Sequence, residues 1–123
     1  MNKVMGKKDI GDWGERIAAR YLEERGYRIV AFKYRCPYGE VDLVCRERQI
    51  WCFVEVKTRK SQSPFGSGYF AVSREKQRRM TKTALYYLSR HNLDEPPVRF
   101  DIVSIDYISP KDYRITLLKN AFF

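Results

Sequence analysis

Two amphipathic segments predict the two helices of this chain. In residues 8–25, apolar side chains recur at three- and four-residue spacing, and Gly26 follows as the residue type that most often ends a helix. The same spacing recurs in residues 74–92, where Ser73 is a favourable N-cap and the DEPP segment ends the pattern. Each helix therefore has one apolar stripe to bury against another layer of the fold.

Apolar runs between and after these segments predict five strands. They occupy residues 27–35, the two arms of a hairpin within residues 39–60, and residues 98–108 and 113–123. Residues 61–68, which are rich in serine and glycine, are expected to form a loop. The predicted order is helix, three strands, helix, two strands.

The hairpin is distinctive because acidic residues interrupt its apolar strands. Arg48 and Gln49 are its natural tip, and a symmetric turn there places Asp42 directly opposite Glu55. Side-chain alternation then gives the hairpin one wholly apolar face, which should pack against a helix: Val41, Leu43, Cys45, Cys52, Val54 and Val56. The opposite face carries Asp42 and Glu55 together with Lys57.

Two ionised carboxylates in this arrangement repel each other, so the pair needs a cation or a bound proton. A hard divalent ion meets this need, since Mg²⁺ typically takes one or two carboxylates and completes its shell with water and phosphate oxygens. Lys57 is placed to neutralise charge, hold a phosphate or assist an attacking water. The alternative is a solvated face on which Asp42 and Glu55 pair with basic side chains, and a slip of one residue in register would separate them. The strongly apolar neighbours favour the metal site.

The charge balance indicates a polyanionic partner. The 123 residues, which we expect to form one domain over residues 1–123, contain 24 lysines and arginines against 15 acidic residues, a net charge of +9. Such a surface attracts DNA and RNA, although a solvated surface or a ribosome-associated protein would show the same balance. Charge alone therefore does not separate an enzyme from a binding protein.

Several other classes of protein are disfavoured by what the sequence lacks. Cys36, Cys45 and Cys52 are odd in number and form no C-x-x-C pair, and His91 is the only histidine, which disfavours both a disulfide framework and a zinc site. No apolar run approaches the roughly 20 residues of a membrane span, and the basic start lacks the apolar region of a secretory signal. We therefore expect a cytoplasmic protein with no membrane partner.

Six motifs, read in order, resemble those of a known nuclease superfamily. GEVDLV followed by FVEVKTR resembles the PD-(D/E)XK pattern, with an acidic residue on one strand and E-x-K on the next. Together with GDWGERIAARYLEERGY, SREKQRRM, RFDIVSI and KNAF, these motifs are similar to those of small bacterial proteins that are predicted endonucleases, distantly similar to archaeal Holliday junction resolvases. The resemblance covers nearly the whole chain. It implies an α/β fold with a restriction-endonuclease-like αβββαβ core, in which helices flank a central mixed sheet.

The resemblance also implies a metal site on the hairpin. Matched motif by motif, Asp42 and Glu55 would bind Mg²⁺ or Mn²⁺, and the backbone carbonyl of Val56 would be a further ligand. Lys57 would be the catalytic lysine. Val41 stands where the name of the superfamily has proline, a departure that is common.

Two helical residues are candidate catalytic members of the same site. Glu15 matches the acidic residue that the resolvase-like branch carries on its first helix, where it would reach the metal directly or through water. It has no cation three or four residues away and lies at the edge of the apolar stripe, which favours a site role over an exposed surface position. Gln77 stands where a helical glutamine or lysine assists in the superfamily, and a buried, satisfied amide is the alternative.

The implied activity is metal-dependent hydrolysis of phosphodiester bonds in nucleic acid, in DNA more than RNA and including branched or junction DNA. Basic residues on the second helix and after the hairpin are expected to hold the phosphate backbone: Arg59, Lys60, Lys76, Arg78, Arg79 and Lys82. Junction cleavage would require a homodimer, which no stretch of the sequence specifies. The rival hypothesis is a non-catalytic nucleic-acid-binding protein on a nuclease fold, because fold does not fix function.

Overall fold

The helices and strands of the folded chain follow the order that the sequence predicts. The computed structural model describes residues 6–61 and 68–122, and most of the loop predicted at residues 61–68 lies outside these ranges. The elements are α1 (Lys7–Glu24), β1 (Arg28–Cys36), β2 (Gly39–Glu47), β3 (Ile50–Lys60), α2 (Arg74–Arg90), β4 (Val98–Ser109) and β5 (Asp112–Phe122). The predicted helix and strand boundaries agree with these bounds to within two residues.

The strands of the described chain form one mixed sheet in the order β1-β2-β3-β4-β5. β3 and β4 are parallel, and the other neighbouring pairs are antiparallel. A parallel pair needs a crossover connection, and α2 supplies it between β3 and β4. The predicted α/β fold, an αβββαβ-like core with helices flanking a central mixed sheet, is therefore confirmed. Across the described ranges, neither helix combines the length and apolarity that crossing a bilayer requires.

The register of the β2–β3 hairpin agrees with the prediction from its tip. Arg48 lies at the turn with a left-handed φ of 56°, and Leu43 pairs with Val54. This pair is the last regular one at its end of the hairpin. Asp42 and Glu55 are therefore the first residues beyond it on their strands, and they remain close neighbours.

Each face of the sheet buries an apolar layer beneath one helix. The buried cluster under α1 includes Ala18, Ala19, Leu22, Leu43, Cys45, Cys52 and Val54. The buried cluster under α2 includes Val44, Phe53, Met80, Ala84, Tyr87, Leu88 and Phe100. Full burial of one such side chain contributes about 1.5–3 kcal/mol, so the position of each helix over the sheet is strongly determined.

The prediction for the face of Val41 is wrong. Strict alternation with Leu43 placed Val41 on the α1 face, but it lies in the apolar cluster under α2. Lys33 of β1, across from Asp42 in the sheet, has a left-handed φ of 50°. This irregularity interrupts the pleat, so the two-residue period of β2 does not extend past Asp42.

Local signals fix the ends of the helices next to this region. Gly26 has a φ of 92°, and two backbone hydrogen bonds return to the last turn of α1 in a Schellman arrangement. At the start of α2, the hydroxyl oxygen of Ser73 accepts a hydrogen bond from the Lys76 amide at 3.1 Å. This N-cap orders the first turn of α2, from which the Lys76 side chain extends.

α1 approaches β3 closely at Gly14. A Cβ atom at this position would lie 2.0 Å from Oγ1 of Thr58 and 3.0 Å from its Cβ. Only glycine leaves room for this contact. The close approach carries the next residue, Glu15, against the sheet, where it is only 8% exposed.

Gly14→Ala should lower the free energy of unfolding by about 1–3 kcal/mol, the usual cost of adding a carbon atom to a well-packed interface. Gly11→Ala on the same helix is the matched control, because a Cβ there meets nothing within 4 Å. That substitution should stabilise the protein by about 0.5–1 kcal/mol through helix propensity. Urea denaturation measures both values, and equal stability of the two variants would contradict the contact with Thr58.

Candidate functional site

A cavity of about 260 Å³ lies between the sheet and the first turns of α2. It is lined by Glu40, Asp42, Glu55, Lys76, Arg79 and Met80. Asp42 comes from β2, Glu55 from β3 and Lys76 from α2, so three elements meet here. Glu55 is only 4% exposed. The two carboxyl groups, called the acid pair below, thus lie together in a half-buried pocket.

The members of the acid pair differ in their affinity for a proton. Burial, followed by the hydrogen bond and charge of Glu55, raises the pKa of Asp42 to about 8. Burial also acts to raise the pKa of Glu55, but the hydrogen bond from Asp42 and the ammonium groups of Lys76 and Lys57 lower it overall. The pair therefore holds one proton, on Asp42, and one negative charge, on Glu55, near neutral pH. The Val56 amide also donates to Oδ2 of Asp42, at 2.7 Å.

Two lysine ammonium groups meet the remaining charge at Oε2 of Glu55. Nζ of Lys57 lies 3.9 Å from this oxygen, and the ammonium of Lys76 contacts it. Despite these ion pairs, Oε2 is buried without a hydrogen-bond partner of ordinary geometry. A buried carboxylate oxygen that already attracts two ammonium groups suits a cation ligand.

The donor set fits a divalent ion held by few protein groups. Within residues 6–61 and 68–122, no group of three or more acidic, histidine or cysteine side chains lies close enough to hold a metal. The acid pair supplies two carboxylates, which is a usual protein share for Mg²⁺ when water and substrate phosphate supply the other oxygens. Val56, whose carbonyl is the predicted further ligand, directly follows Glu55 on β3.

Glu15 is buried near the acid pair but is engaged by a cation from β1. Nζ of Lys33 lies 3.1 Å from each carboxylate oxygen of Glu15 and 3.2 Å from Oδ1 of Asp12. The charge of Glu15 also contributes, as a smaller cause, to the raised pKa of Asp42. Sequence reasoning missed Lys33, because it looked for a partner of Glu15 only along the same helix.

Gln77 is not brought to the acid pair. Its side-chain amide donates to the carbonyl of Val72 at 3.0 Å, and it does not line the cavity. Lys76, the preceding residue, is the α2 side chain that contacts Glu55. Successive helical residues are rotated by about 100°. When Lys76 faces Glu55, Gln77 therefore points to a different side of α2.

Two of the four predicted phosphate-binding residues on α2 line the cavity of the acid pair. Lys76 and Arg79 line it, and Arg79 also pairs with Glu75 at 2.9 Å. Arg78 and Lys82 line the next depression on the same helix. α2 thus places two of these cations at the acid pair and the other two in a separate depression.

The other two predicted phosphate-binding residues lie toward α1. Arg59 and Lys60 line a depression together with Glu15. Arg59 is held by Oδ1 of Asp106 at 3.1 Å and by the ring of Tyr69, 4.6 Å from its guanidinium carbon. These two basic residues therefore lie beside Glu15, in a depression that does not include the acid pair.

Comparison with known families establishes the ancestry of the chain. The model of a family described as "Uncharacterised protein family UPF0102" matches residues 14–105. The chain belongs to this family. The matched span of the UPF0102 chain contains both members of the acid pair, together with Glu15 and Lys57.

Relatives that carry the same family name align along nearly their whole length. A UPF0102 protein of Syntrophus aciditrophicus is 45% identical over 112 residues, covering 91% of this chain and 87% of the relative. One from Alkaliphilus metalliredigens is 41% identical over 115 residues, covering 94% and 98%. One from Symbiobacterium thermophilum is 40% identical over 113 residues, covering 92% and 95%. These names state family membership and no activity.

The acid pair predicts how stability depends on pH when no divalent metal is present. Between the ordinary carboxyl pKa of 3.8 and the folded value of about 8, native Asp42 holds a proton that the unfolded chain has lost. A rise in pH across this window therefore lowers the free energy of unfolding of the wild type. The side chain of Asp42→Asn is neutral at every pH. From the lower to the upper end of this pH window, the free energy of unfolding of the variant minus that of the wild type should therefore increase by more than about 1.4 kcal/mol, the value of one pKa unit.

Urea denaturation in EDTA at several pH values across this window measures the difference. Glu40→Gln is the control, because Glu40 lines the same cavity but pairs with Arg35 at 2.9 Å. It should show no comparable trend relative to the wild type. A constant difference between Asp42→Asn and the wild type would contradict the bound proton.

Proposed function

We propose that this UPF0102 protein is a Mg²⁺- or Mn²⁺-dependent endonuclease that hydrolyses phosphodiester bonds in DNA. The observation that carries the proposal is the half-buried acid pair, met by two lysine ammonium groups and bordered by the cations of α2. A protein that only binds nucleic acid gains nothing from two buried carboxyl groups beside its phosphate contacts, because they repel the ligand.

The donor set supports the metal in this proposal. The acid pair offers two carboxylates, the Val56 carbonyl is the proposed third protein ligand, and Glu15 is proposed to join directly or through water. A metal bound here would supply Lewis-acid activation of a phosphate oxygen and of a water nucleophile. Its charge would also remove the need for a proton on Asp42.

Lys57 is proposed to contact the reacting phosphate. It follows Glu55 by two residues on β3, and its Nζ lies 3.9 Å from the Glu55 carboxylate. The ring of Tyr69 is 5.7 Å from the same nitrogen. An ammonium at this place would stabilise the negative charge that develops on phosphate during hydrolysis, an effect that typically contributes about 10²–10³ in rate.

The charge pattern supports a nucleic-acid substrate. The net charge of +9 and the basic residues toward both helices would draw a phosphate backbone across the acid pair. This pattern serves DNA and RNA alike, and the resemblance to junction resolvases favours DNA, including branched or junction DNA. A junction has two strands to cut, so that activity would require a homodimer with two sites.

Wild-type protein should cut at least one substrate from a panel of branched, flapped, single-stranded and duplex DNA in Mg²⁺ or Mn²⁺. Glu55→Gln should lower the rate at least about 100-fold, since even residues that only support metal ligands typically contribute 10–100-fold. Glu40→Gln, whose carboxylate pairs with Arg35, should retain the wild-type rate. Gel analysis of end-labelled substrates, with an RNA panel alongside, measures these rates.

Two results would contradict the proposal. Equal cleavage by the wild type and Glu55→Gln would remove the acid pair from the mechanism. Binding of DNA by the wild type without cleavage of any substrate would favour the rival, a non-catalytic nucleic-acid-binding protein on the same fold.

The metal site makes a separate prediction that needs no cleavage. Mn²⁺ at about 100 times its Kd should stabilise the wild type by about 2.7 kcal/mol, because it binds the native state. Thermal unfolding should show this as a rise in Tm of several degrees, and Asp42→Ala should lose most of the rise. An equal rise in the wild type and in Asp42→Ala would contradict the proposed site.

A further inference from the structure

Lys76 is the α2 side chain that lies against the acid pair. Its ammonium contacts Oε2 of Glu55, the buried oxygen that has no hydrogen-bond partner of ordinary geometry. The N-cap at Ser73 and the buried side chain of Met80 fix the stretch of α2 from which Lys76 extends. The contact is therefore set by the docking of α2 on the sheet.

The same oxygen cannot serve Lys76 and a divalent ion together. Positive charges repel strongly in a half-buried cavity, where the effective dielectric constant is far below that of water. The side chain of Lys76 is 38% exposed, against 23% for Lys57. Its flexible four-carbon stem allows the ammonium to move into solvent while the helix stays in place.

We propose that Lys76 exchanges partners between the metal-free and metal-bound protein. Without metal it neutralises Glu55; when a divalent ion takes that place, the ammonium moves to a phosphate of the nucleic acid. The inference rests on the proposed function and explains how one site couples its two ligands. Metal binding frees a cation for the phosphate backbone, and the bound backbone keeps that cation away from Glu55. Each ligand therefore strengthens the binding of the other by the same factor.

The surroundings of Lys76 suit this second partner. Arg79 lies about one turn further along α2 at the same cavity, and Arg78 and Lys82 line the next depression. A phosphate backbone that crosses these residues would pass within reach of the freed ammonium. Carboxylates and phosphates are the strong partners of a lysine, which has donors and no acceptor. Arg79 pairs with Glu75, outside the acid pair.

Calorimetric titration with Mn²⁺ alone tests the competition at Glu55. Lys76→Gln should bind Mn²⁺ at least about fivefold more tightly than the wild type, the lower end of typical coupling between ligands. Arg79→Gln removes the same charge from the same cavity without touching Glu55, and should change the affinity by less than about twofold. Lys76→Met repeats the test with a side chain that cannot donate a hydrogen bond to Glu55. The melting temperature of each metal-free variant shows that it is folded.

Fluorescence anisotropy with a labelled DNA duplex tests the transfer to phosphate. Mn²⁺ should tighten duplex binding at least about fivefold for the wild type and for Arg79→Gln, and by less than about twofold for Lys76→Gln. A gel run after each titration shows that the duplex is intact. Arg79→Gln should bind the duplex more weakly at every Mn²⁺ concentration, since it has lost a phosphate contact.

The outcomes separate this inference from the proposed function. Unchanged Mn²⁺ affinity in both Lys76 variants, or an increase of Mn²⁺ affinity in Arg79→Gln as large as that in Lys76→Gln, would overturn the exchange and leave the metal site standing. An equal effect of Mn²⁺ on duplex binding by the wild type and Lys76→Gln would do the same. Equal Mn²⁺ binding by the wild type and Glu55→Gln would overturn the metal site and the exchange together.

Discussion

Two carboxyl groups that approach each other in a half-buried pocket cannot both be ionised unless cations lie beside them. Asp42 meets this constraint by holding a proton, and Glu55 by contact with the ammonium groups of Lys57 and Lys76. The Val56 amide supplies a further donor to Asp42. Buried charge is weak support for stability even when it is well paired. A pocket that needs this many compensating groups is better explained by a ligand than by the requirements of folding.

Buried acidic charge is also neutralised by a nearby cation on the side of the site that faces α1. There Glu15 lies against Lys33, which also reaches Asp12. The acid pair and Glu15 are therefore neighbouring acidic groups with a cation at each end, Lys76 on the α2 side and Lys33 on the β1 side. Gly14 makes this arrangement possible, because only its lack of a side chain lets α1 come close enough to the sheet. One glycine therefore determines both how closely α1 packs on the sheet and where the charge of Glu15 lies.

The features that could be predicted from the sequence are those that depend on residues close together along the chain. Apolar stripes, capping residues and side-chain alternation predicted the helices and strands. The position of the hairpin tip predicted the register of β2 and β3, and therefore the acid pair. The partner of Glu15 was missed because Lys33 is distant in sequence and reaches α1 from an irregular, left-handed position. To predict that Lys76 rather than Gln77 contacts Glu55, one must know how α2 is rotated about its own axis. Tertiary packing sets that rotation. Val41 was misplaced because the same irregularity ends the regular pleat.

The crossover position of α2 has a consequence for the order of assembly. The β2–β3 hairpin has local contacts and is able to form early, whereas the parallel pairing of β3 with β4 must wait for the intervening helix. While α2 is undocked, the carboxylate of β3 lacks the ammonium that α2 brings. When the apolar stripe of α2 closes over the sheet, the core is completed and the charge is compensated in one event. A partly folded chain would therefore have an open hairpin but no finished pocket, and the proposed binding site would be complete only in the fully packed protein.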